Sequence, residues 1–535
     1  MKSDQSSGDI VHVLASERGL QDVLNGTVPK LSDPRHFPEM GRAVERIDRA
    51  VAEGETIGIF GDYDADGITG VAQIVRYFRR HGREPVVHLP HRGKEGYGMR
   101  KKSLDELRGK GVTLLITVDT GIAATTEIAH ASGLGMDVIV TDHHHAPEGR
   151  PPAYAVIHPR IPAEFPNPHL SGSGVALLLV RALERGKRWD GIEQDIILAS
   201  IGTIGDLVPL VGENRVLVSH ALRLLAKLPP CPLKDFADQV RAGSAAALTS
   251  TDVAFRIVPR INASGRIDHP DIALKALLEG GDSLSQLHAL NTQRQGMTAA
   301  LCEKALAMID LVQPFLCVMS EEFHPGIVGL IAGFLTERYG RPSLVAAVNG
   351  DTCVASLRSI PEVHVAEYLH APEVLTHLLT CGGHAQAAGC SFLAGSFAGL
   401  QSALCTRMHE NGVHLNDLRP TLNLDAEVSL DELTPTFALG LERLEPFGMG
   451  NAQPLFFLRG QTVEWMRAVG AEGKHLQCRI GGKKAVGFGL GSLLETLAKS
   501  QWWDIACTVG MTEWNGKREV QMIVKDVRAI GTQQG

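Results

Sequence analysis

The sequence predicts a multidomain α/β protein: a parallel-sheet domain first, then a long helical connection, a smaller α/β domain and a C-terminal β-barrel. Three observations carry this prediction. Near-continuous β-branched runs alternate with helix-length amphipathic segments over residues 51–215, the pattern of parallel strands covered on both faces. The alternation gives way to a largely helical stretch over 216–312 and resumes over 313–412. After Asn416, to residue 530, the texture changes to short β runs broken by glycines, which suits a small barrel. At 535 residues the chain is too long for one ordinary domain.

Taken in order, residues 1–50 form a helical and mixed N-terminal segment, interrupted at Pro34-Arg35-His36-Phe37-Pro38. Strands are expected at 56–60, 85–89, 112–118 and 136–141, and helices at 173–185 and 192–203. A helix over 282–312 leads to the second α/β pattern, with strands at 316–319 and 343–348 around a helix at 328–339. A glycine-rich stretch over 381–389 closes that part. The last region places strands at 455–458, 476–480, 485–488, 505–509 and 520–524.

Composition is that of a soluble globular protein, with 44% hydrophobic and 21% charged residues. The net charge of −8 argues weakly against nucleic acid, but it hides a gradient. Residues 455–530 carry 11 Lys/Arg against 7 Asp/Glu, together with Trp465, Trp502, Trp503 and Trp514. A basic, aromatic segment suits single-stranded nucleic acid, where bases stack and phosphates need counter-charge. A Trp-rich β core explains the same residues equally well. Nine cysteines without a C-x-x-C pair read as reduced thiols. A polar start without an apolar signal region, and no apolar run of membrane-spanning length, lead us to expect a cytoplasmic protein.

Three of the four strand-like runs of the first domain end in acidic or imidazole side chains. The first leads into Gly61-Asp62-Tyr63-Asp64-Ala65-Asp66-Gly67, the third into Asp119, and the fourth into Asp142-His143-His144-His145. Ligands of open parallel sheets bind beyond the carboxyl ends of the strands, so these clusters converge on one rim. Carboxylates that close repel unless a cation sits among them. Asp206, isolated in an apolar segment, needs a partner that either a metal or an N-cap role would supply. Asp64, Asp66, Asp119, His143 and Asp206 form a hard, mostly oxygen ligand set that suits Mg²⁺ or Mn²⁺. Five ligand residues exceed the need of one ion. Two ions roughly 3.5–4 Å apart, bridged by Asp119, would serve an in-line phosphoryl displacement. His144 is then free to contact the scissile phosphate or the leaving oxygen, and Asp142 orients a neighbouring histidine.

Asp64-Ala65-Asp66-Gly67, Val118-Asp119-Thr120-Gly121, Asp142-His143-His144 and Gly205-Asp206 resemble the four motifs of the DHH phosphoesterase superfamily. Gly382-Gly383-His384 through Ala387-Ala388-Gly389 resembles the signature of its associated DHHA1-type domain. Flanking residues narrow the likeness. Glu95-Gly96-Tyr97-Gly98, Arg260-Ile261-Asn262-Ala263-Ser264-Gly265-Arg266, His324-Pro325-Gly326-Ile327-Val328-Gly329 and Glu445-Pro446-Phe447-Gly448-Met449-Gly450-Asn451 are similar to the bacterial RecJ family.

The resemblance covers essentially the whole chain and implies a 5′→3′ exonuclease on single-stranded DNA that releases mononucleotides with two Mg²⁺ or Mn²⁺ ions in recombination and repair. It assigns the same five metal ligands, and it places Asp62 where some relatives have a different ligand, beside His144 and Asp142 in the catalytic group. It implies phosphate and DNA contacts from Arg260, Asn262, Arg266, Ser356, Arg358, Ser359, Gly383 and His384. Structural roles for these residues stay open, among them a tight turn at Gly382-Gly383, an interface ion pair for Arg358 and a helix end for His384. The loop 92–102, net +4, is either a strand grip or a solvated loop. The terminal region is implied to be an oligonucleotide-binding (OB) fold. Implied partners are single-strand-binding protein and a helicase, with the chain a monomer. The rival readings are a phosphoesterase of short or cyclic nucleotides and a non-catalytic replication scaffold.

Overall fold

The computed structural model describes residues 7–25, 31–93, 95–96, 98–147, 149–161, 165–185, 191–241, 248–514 and 517–530. The first sheet contains β1 (Thr56–Gly61), β2 (Val86–His88), β3 (Val112–Val118), β4 (Asp137–Thr141) and β5 (Ala155–Ile157). All are parallel, in the order β2-β1-β3-β4-β5. Successive side chains alternate between the faces. Ile57, Ile59, Leu114, Ile116 and Ile139 pack in one core with helices Met40–Glu53, Ala65–Arg80, Gly172–Leu183 and Glu193–Gly205. Phe60, Leu115, Val138 and Val140 pack in another with helices Lys101–Gly109 and Thr125–Gly133. Burial on both faces is why the strands read as unbroken apolar runs. β5 was not expected, because three residues are too few to display a period.

From β1 the chain goes to β2 on one side, and β3 then lies on the other side of β1. The strand order therefore reverses between β1 and β3, and the crevice at such a switch point is where open α/β sheets bind ligands. Asp62 follows β1 and Asp119 follows β3.

The helices after residue 205 do not stand apart from this domain. The expected boundary at 215/216 falls inside helix Gly212–Leu225, and Leu217, Phe236, Ile257, Leu274 and Leu287 join the core of the first sheet. Helix Gly281–Met308 then reaches across to a second sheet. That sheet holds β6 (Leu316–Ser320), β7 (Ser343–Asn349), β8 (Thr352–Arg358), β9 (Thr380–Gly383) and β10 (Ala387–Leu393), in the order β6-β7-β8-β10-β9. β6 and β7 are parallel, and the other pairs are antiparallel. The glycine-rich stretch is thus a hairpin of two strands.

The third sheet comprises β11 (Ala426–Glu427), β12 (Phe456–Gln461), β13 (Trp465–Val469), β14 (His475–Ile480), β15 (Lys483–Gly487), β16 (Trp502–Trp514) and β17 (Lys517–Ile530). Its order is β11-β12-β16-β17-β15-β14-β13. Its tryptophans divide between the two roles weighed for them: Trp503 is buried in the core, whereas Trp465 and Trp502 are about half exposed. The side chain of Trp514 lies outside the described residues. The N-terminal helix, Ser7–Glu17, packs here and not on the first domain. Ile10, Val11, Leu14 and Ala15 share a core with Phe437, Phe456 and Ile505, and Arg18 pairs with Asp425 at 2.7 Å.

One buried ion pair network locks the helices that carry the rim. Asp195, fully buried near the start of Glu193–Gly205, accepts from Arg76 Nε and Arg80 Nη1, each at 2.8 Å, at the far end of Ala65–Arg80. Removing the carboxylate strands two partly buried guanidinium groups. Asp195→Ala is expected to destabilise the chain by about 3 kcal/mol, read as a lowered urea midpoint. A loss below about 1 kcal/mol would show that Glu184, 3.3 Å from Arg80, and water replace Asp195 fully.

Candidate metal centre

Asp62, Asp64, Asp66, Asp119, Asp142, His143, His144 and Asp206 gather at one rim of the first sheet. Asp64 is the N-cap of helix Ala65–Arg80, and its Oδ1 accepts from the N–H groups of Asp66 (3.0 Å) and Gly67 (3.1 Å). Asp66 is almost completely buried, and its two oxygens accept from Gly172 N (2.6 Å) and Ser173 N (3.0 Å) at the start of helix Gly172–Leu183. Asp119 leaves β3 with φ 61, an uncommon left-handed conformation that turns its side chain out of strand geometry. Asp206 ends helix Glu193–Gly205.

Two glycines make room for these carboxylates. A Cβ at Gly172 would lie 2.4 Å from Asp119 Oδ1, and one at Gly202 would lie 2.4 Å from Asp66 Oδ1. The sequence reading did not single out Gly172, Ser173 or Gly202. The start of an apolar helix at Ser171-Gly172-Ser173-Gly174 was the available signal.

His143 Nε2 lies 3.1 Å from Asp119 Oδ1, 3.5 Å from Asp206 Oδ2 and 3.9 Å from Asp66 Oδ2. Yet Asp119 Oδ1 and both ring nitrogens of His143 are buried without a hydrogen-bond partner among the described residues. Unsatisfied acceptors in such a place are costly. Burial first, and the neighbouring carboxylates second, push the pKa values of Asp62, Asp64 and Asp119 up. Asp206 is pushed up to about 8 by burial and by the charges of Asp66 and Asp64. Burial lowers that of His143. These atoms fit divalent cations. Three sets have ligand atoms within 4.8 Å of one another: Asp62, Asp64 and Asp119; Asp66, His143 and Asp206; and Asp119, His143 and His144. Asp119 and His143 each belong to two sets.

His144 and Asp142 form a separate device. Asp142 Oδ1 lies 2.8 Å from His144 Nδ1 and also accepts from the backbone N–H groups of His143 (2.7 Å) and His144 (3.1 Å), while Oδ2 accepts from Ile122 N (2.9 Å). Burial opposes the charge on His144, but Asp142 and the carboxylates of Asp62 and Asp206 raise its pKa to about 9. Burial also opposes ionisation of Asp142, and the bond to His144 outweighs it and keeps this carboxyl below its usual value.

A cleft of about 860 Å³ opens beside the rim, between the first domain and the second sheet. Tyr63, Arg92, Arg266, Ser356, Arg358 and Gly383 line it. Burial and the charges of Arg92, Arg294 and Arg358 hold Arg266 down to about 9, although Asp64 opposes them. Such crowding of guanidinium groups is relieved by an anion. Arg358 Nη1 donates to Ser356 Oγ at 3.0 Å and to the Leu357 carbonyl at 2.8 Å.

Of the eight expected DNA contacts, Arg266, Ser356, Arg358 and Gly383 reach this cleft, and four residues do not. Asn262 Oδ1 accepts from Ala65 N at 2.7 Å and so pins the metal loop. Ser359 Oγ donates to the Val363 carbonyl at 2.7 Å inside its own turn. Arg260 Nε donates to His288 Nδ1 at 3.1 Å, and Nη1 to the Arg256 carbonyl. His384 is exposed at the hairpin turn. In the basic loop 92–102, Lys94 and Tyr97 lie outside the described residues, and Arg92 stands 5.3 Å from the Tyr63 ring centroid. Arg160, whose charge bears on His143 and Asp206, was not anticipated.

Comparison with known proteins agrees with this layout. Family models match in three places: "DHH family, N-terminal domain" at 56–203, "DHHA1 domain" at 312–410 and "RecJ OB domain" at 424–526. The single-stranded-DNA-specific exonuclease RecJ of Bacillus subtilis is 32% identical over 510 residues, which span 92% of this chain and 64% of that protein. The chain thus covers somewhat less than two thirds of that relative. The protein of the same name from Dickeya dadantii is 30% identical over 96% of this chain and 94% of its own length. The crystal structure of RecJ with Mn²⁺ from Thermus thermophilus superposes with a TM-score of 0.83 at 29% identity, covering 97% of this chain and 76% of that one. On this identity and coverage, with all three domains matched in order, the chain belongs to the RecJ family.

Proposed function

We propose that the chain is a metal-dependent exonuclease that hydrolyses single-stranded DNA from its 5′ end to mononucleotides. The observation that carries this reading is the buried carboxylate–imidazole cluster with unsatisfied acceptors, set directly beside an arginine-lined cleft. Relatives named single-stranded-DNA-specific exonucleases supply the substrate class, and neighbours solved with Mn²⁺ or Mg²⁺ supply the cofactor. Asp64, Asp66, Asp119, His143 and Asp206 would hold two such ions, and Asp62 would add a carboxylate to the set of Asp64 and Asp119. When bound, the ions supply a water activated for attack on phosphorus and positive charge for the phosphoryl oxygens.

The chain's own groups do the rest. His144, protonated at neutral pH, donates to a phosphoryl oxygen or to the departing 3′ oxygen, and Asp142 keeps it charged and oriented. Arg266 and Arg358 hold the phosphate of the strand end in the cleft, with Ser356 and Gly383 shaping its wall. The exposed Trp465 and Trp502 present faces for stacked bases on the third domain. No helix among the described residues is long and apolar enough to cross a membrane. Single-strand-binding protein and a helicase are the expected partners of a monomer acting in the cytoplasm in recombination and repair.

Strands blocked separately at each end test polarity. A 5′ block should stop release of nucleotides with Mg²⁺ or Mn²⁺ and a 3′ block should not; the opposite pattern, or preference for dinucleotides over long strands, sinks the reading. Asp119→Ala is expected to lower turnover by on the order of 10³-fold or more while fluorescence anisotropy still reports binding of a labelled strand. Asp142→Asn should lower it about 10–100-fold, mainly in kcat.

A pH experiment needs no DNA. Asp206 titrates near 3.8 when unfolded and at about 8 in the cation-free fold. The folded state therefore holds more protons between these values, and stability falls as pH rises through that window. His144, raised from 6.5 to about 9, acts in the same direction. With EDTA, the thermal midpoint should drop from pH 5 to pH 8, and Mn²⁺ should abolish the drop. A flat profile in EDTA would remove the case for a charge-frustrated site.

A further inference from the structure

The β9–β10 hairpin, whose backbone walls the cleft, carries a chemical group that the proposed nuclease reaction does not use. Cys381 and Cys390 are direct cross-strand partners, and both are free thiols. Hydrogen-bonded and non-hydrogen-bonded pairs alternate along an antiparallel ladder. His384 N–H donates to the Ala387 carbonyl at 2.8 Å, so the pair 384/387 is hydrogen-bonded, and counting back three pairs makes 381/390 a non-hydrogen-bonded one. The other edge of β10 agrees. Ser359 N–H donates to the Gln386 carbonyl at 3.0 Å, and four pairs along, 355/390 is again hydrogen-bonded, which turns the polar backbone of Cys390 toward β8 and away from β9.

Partners of the non-hydrogen-bonded kind have Cα atoms about 4.5 Å apart and side chains on one face. Disulfides span Cα separations of roughly 4.4–6.8 Å. Both thiols stand on the face covered by helices Val365–Leu369 and Phe397–Glu410, Cys390 within that core and Cys381 half-buried at its edge. His370 completes the arrangement. Its Nδ1 is 2.7 Å from the Ala366 carbonyl, an acceptor only, so Nδ1 carries the proton of the neutral ring and Nε2 carries the lone pair. Nε2 is 4.0 Å from Cys381 Sγ.

We propose that Cys381 and Cys390 form an oxidisable dithiol, a modification site for hydrogen peroxide, with His370 as the base that activates Cys381. Nε2 of His370 takes the Cys381 proton, and the thiolate attacks one oxygen of the peroxide. The O–O bond breaks, the sulfur becomes a sulfenic acid, and the departing hydroxide takes the proton back from His370 as water. Cys390, a buried thiol with its pKa pushed up to about 12, then attacks that sulfur and expels a second water as the S–S bond forms. Peroxide is reduced by two electrons and the two thiols are oxidised by two. The bond ties the edge strand to β10 and so fixes the strand on which Gly383 lines the cleft.

The full chain treated with hydrogen peroxide, then alkylated and digested with trypsin, tests this. No Lys or Arg lies between Arg358 and Arg407, so Cys381, Cys390 and Cys405 share one peptide. That peptide should lose two hydrogens and keep only Cys405 alkylated, with dithiothreitol restoring all three thiols. Phenylarsine oxide, which bridges paired thiols, should bind the untreated chain at one equivalent. Cys381→Ser and Cys390→Ser should each abolish both results without changing the thermal midpoint. His370→Gln should slow alkylation of Cys381 about tenfold, because the thiolate is the nucleophile and loses the base that generates it. Sulfinic acid at Cys381 without loss of two hydrogens, or a mass loss that survives in either serine variant, would overturn the proposal. None of these readouts depends on nuclease activity.

Discussion

Mutual repulsion among buried carboxylates is the constraint around which the first domain is built. Asp62, Asp66 and Asp119 are each no more than 5% exposed, and Asp64 and Asp206 are close by. In low dielectric such charges repel and oppose folding, and the pKa values of Asp62, Asp64, Asp119 and Asp206 rise accordingly. The fold meets this in two ways. It directs backbone donors from one helix start to Asp66 and from another to Asp64. It also leaves Asp119 Oδ1 and the His143 ring nitrogens without a hydrogen-bond partner among the described residues, so that a cation removes a penalty rather than merely adding a contact. The switch point between β1 and β3, the glycines at 172 and 202 and the Arg76–Asp195–Arg80 lock all serve to hold that frustrated cluster in place.

A second electrostatic feature mirrors the first. The arginines at 92, 266 and 358 are crowded much as the aspartates are, with opposite sign, and Tyr63 and Asp64 lie between the two groups. A phosphodiester has what each side lacks: anionic oxygens for the guanidinium groups and, with its ions, cationic charge for the carboxylates. Neither half of the site is at ease alone. This is a physical reason for the helical connector to merge with the first core rather than hang as a linker, since slack there would let the arginine group drift from the metal rim.

What was legible in the sequence follows from the kind of signal involved. Asp64, Asp66, Asp119 and His143 could be read because buried parallel strands announce themselves as apolar runs, and a charged residue at the end of such a run stands out. The parallel sheet, the helix at 328–339 and the late β domain were legible for the same reason of periodicity. Asn262 was not, because a residue that caps a helix almost 200 positions earlier looks like any polar residue in a basic motif. β5, β9 and β10 were hidden by shortness or by glycine, which has no side chain to show alternation. The docking of Ser7–Glu17 on the third domain was invisible, since an amphipathic helix shows that it needs a partner and not which partner it has.

That docking has a mechanical consequence. The third domain is attached to the body of the molecule by the chain that enters it after residue 410 and by the chain that leaves its first helix toward Pro34. Between these tethers, Arg215 donates to the carbonyls of Arg443 and Glu445, and Leu210 N–H donates to that of Met449 at 2.7 Å. With two chain connections and this hydrogen-bonded seam, the third domain has less freedom to swivel than one hung on a single connection. Trp465 and Trp502, exposed on that domain, therefore keep a settled bearing relative to the cleft.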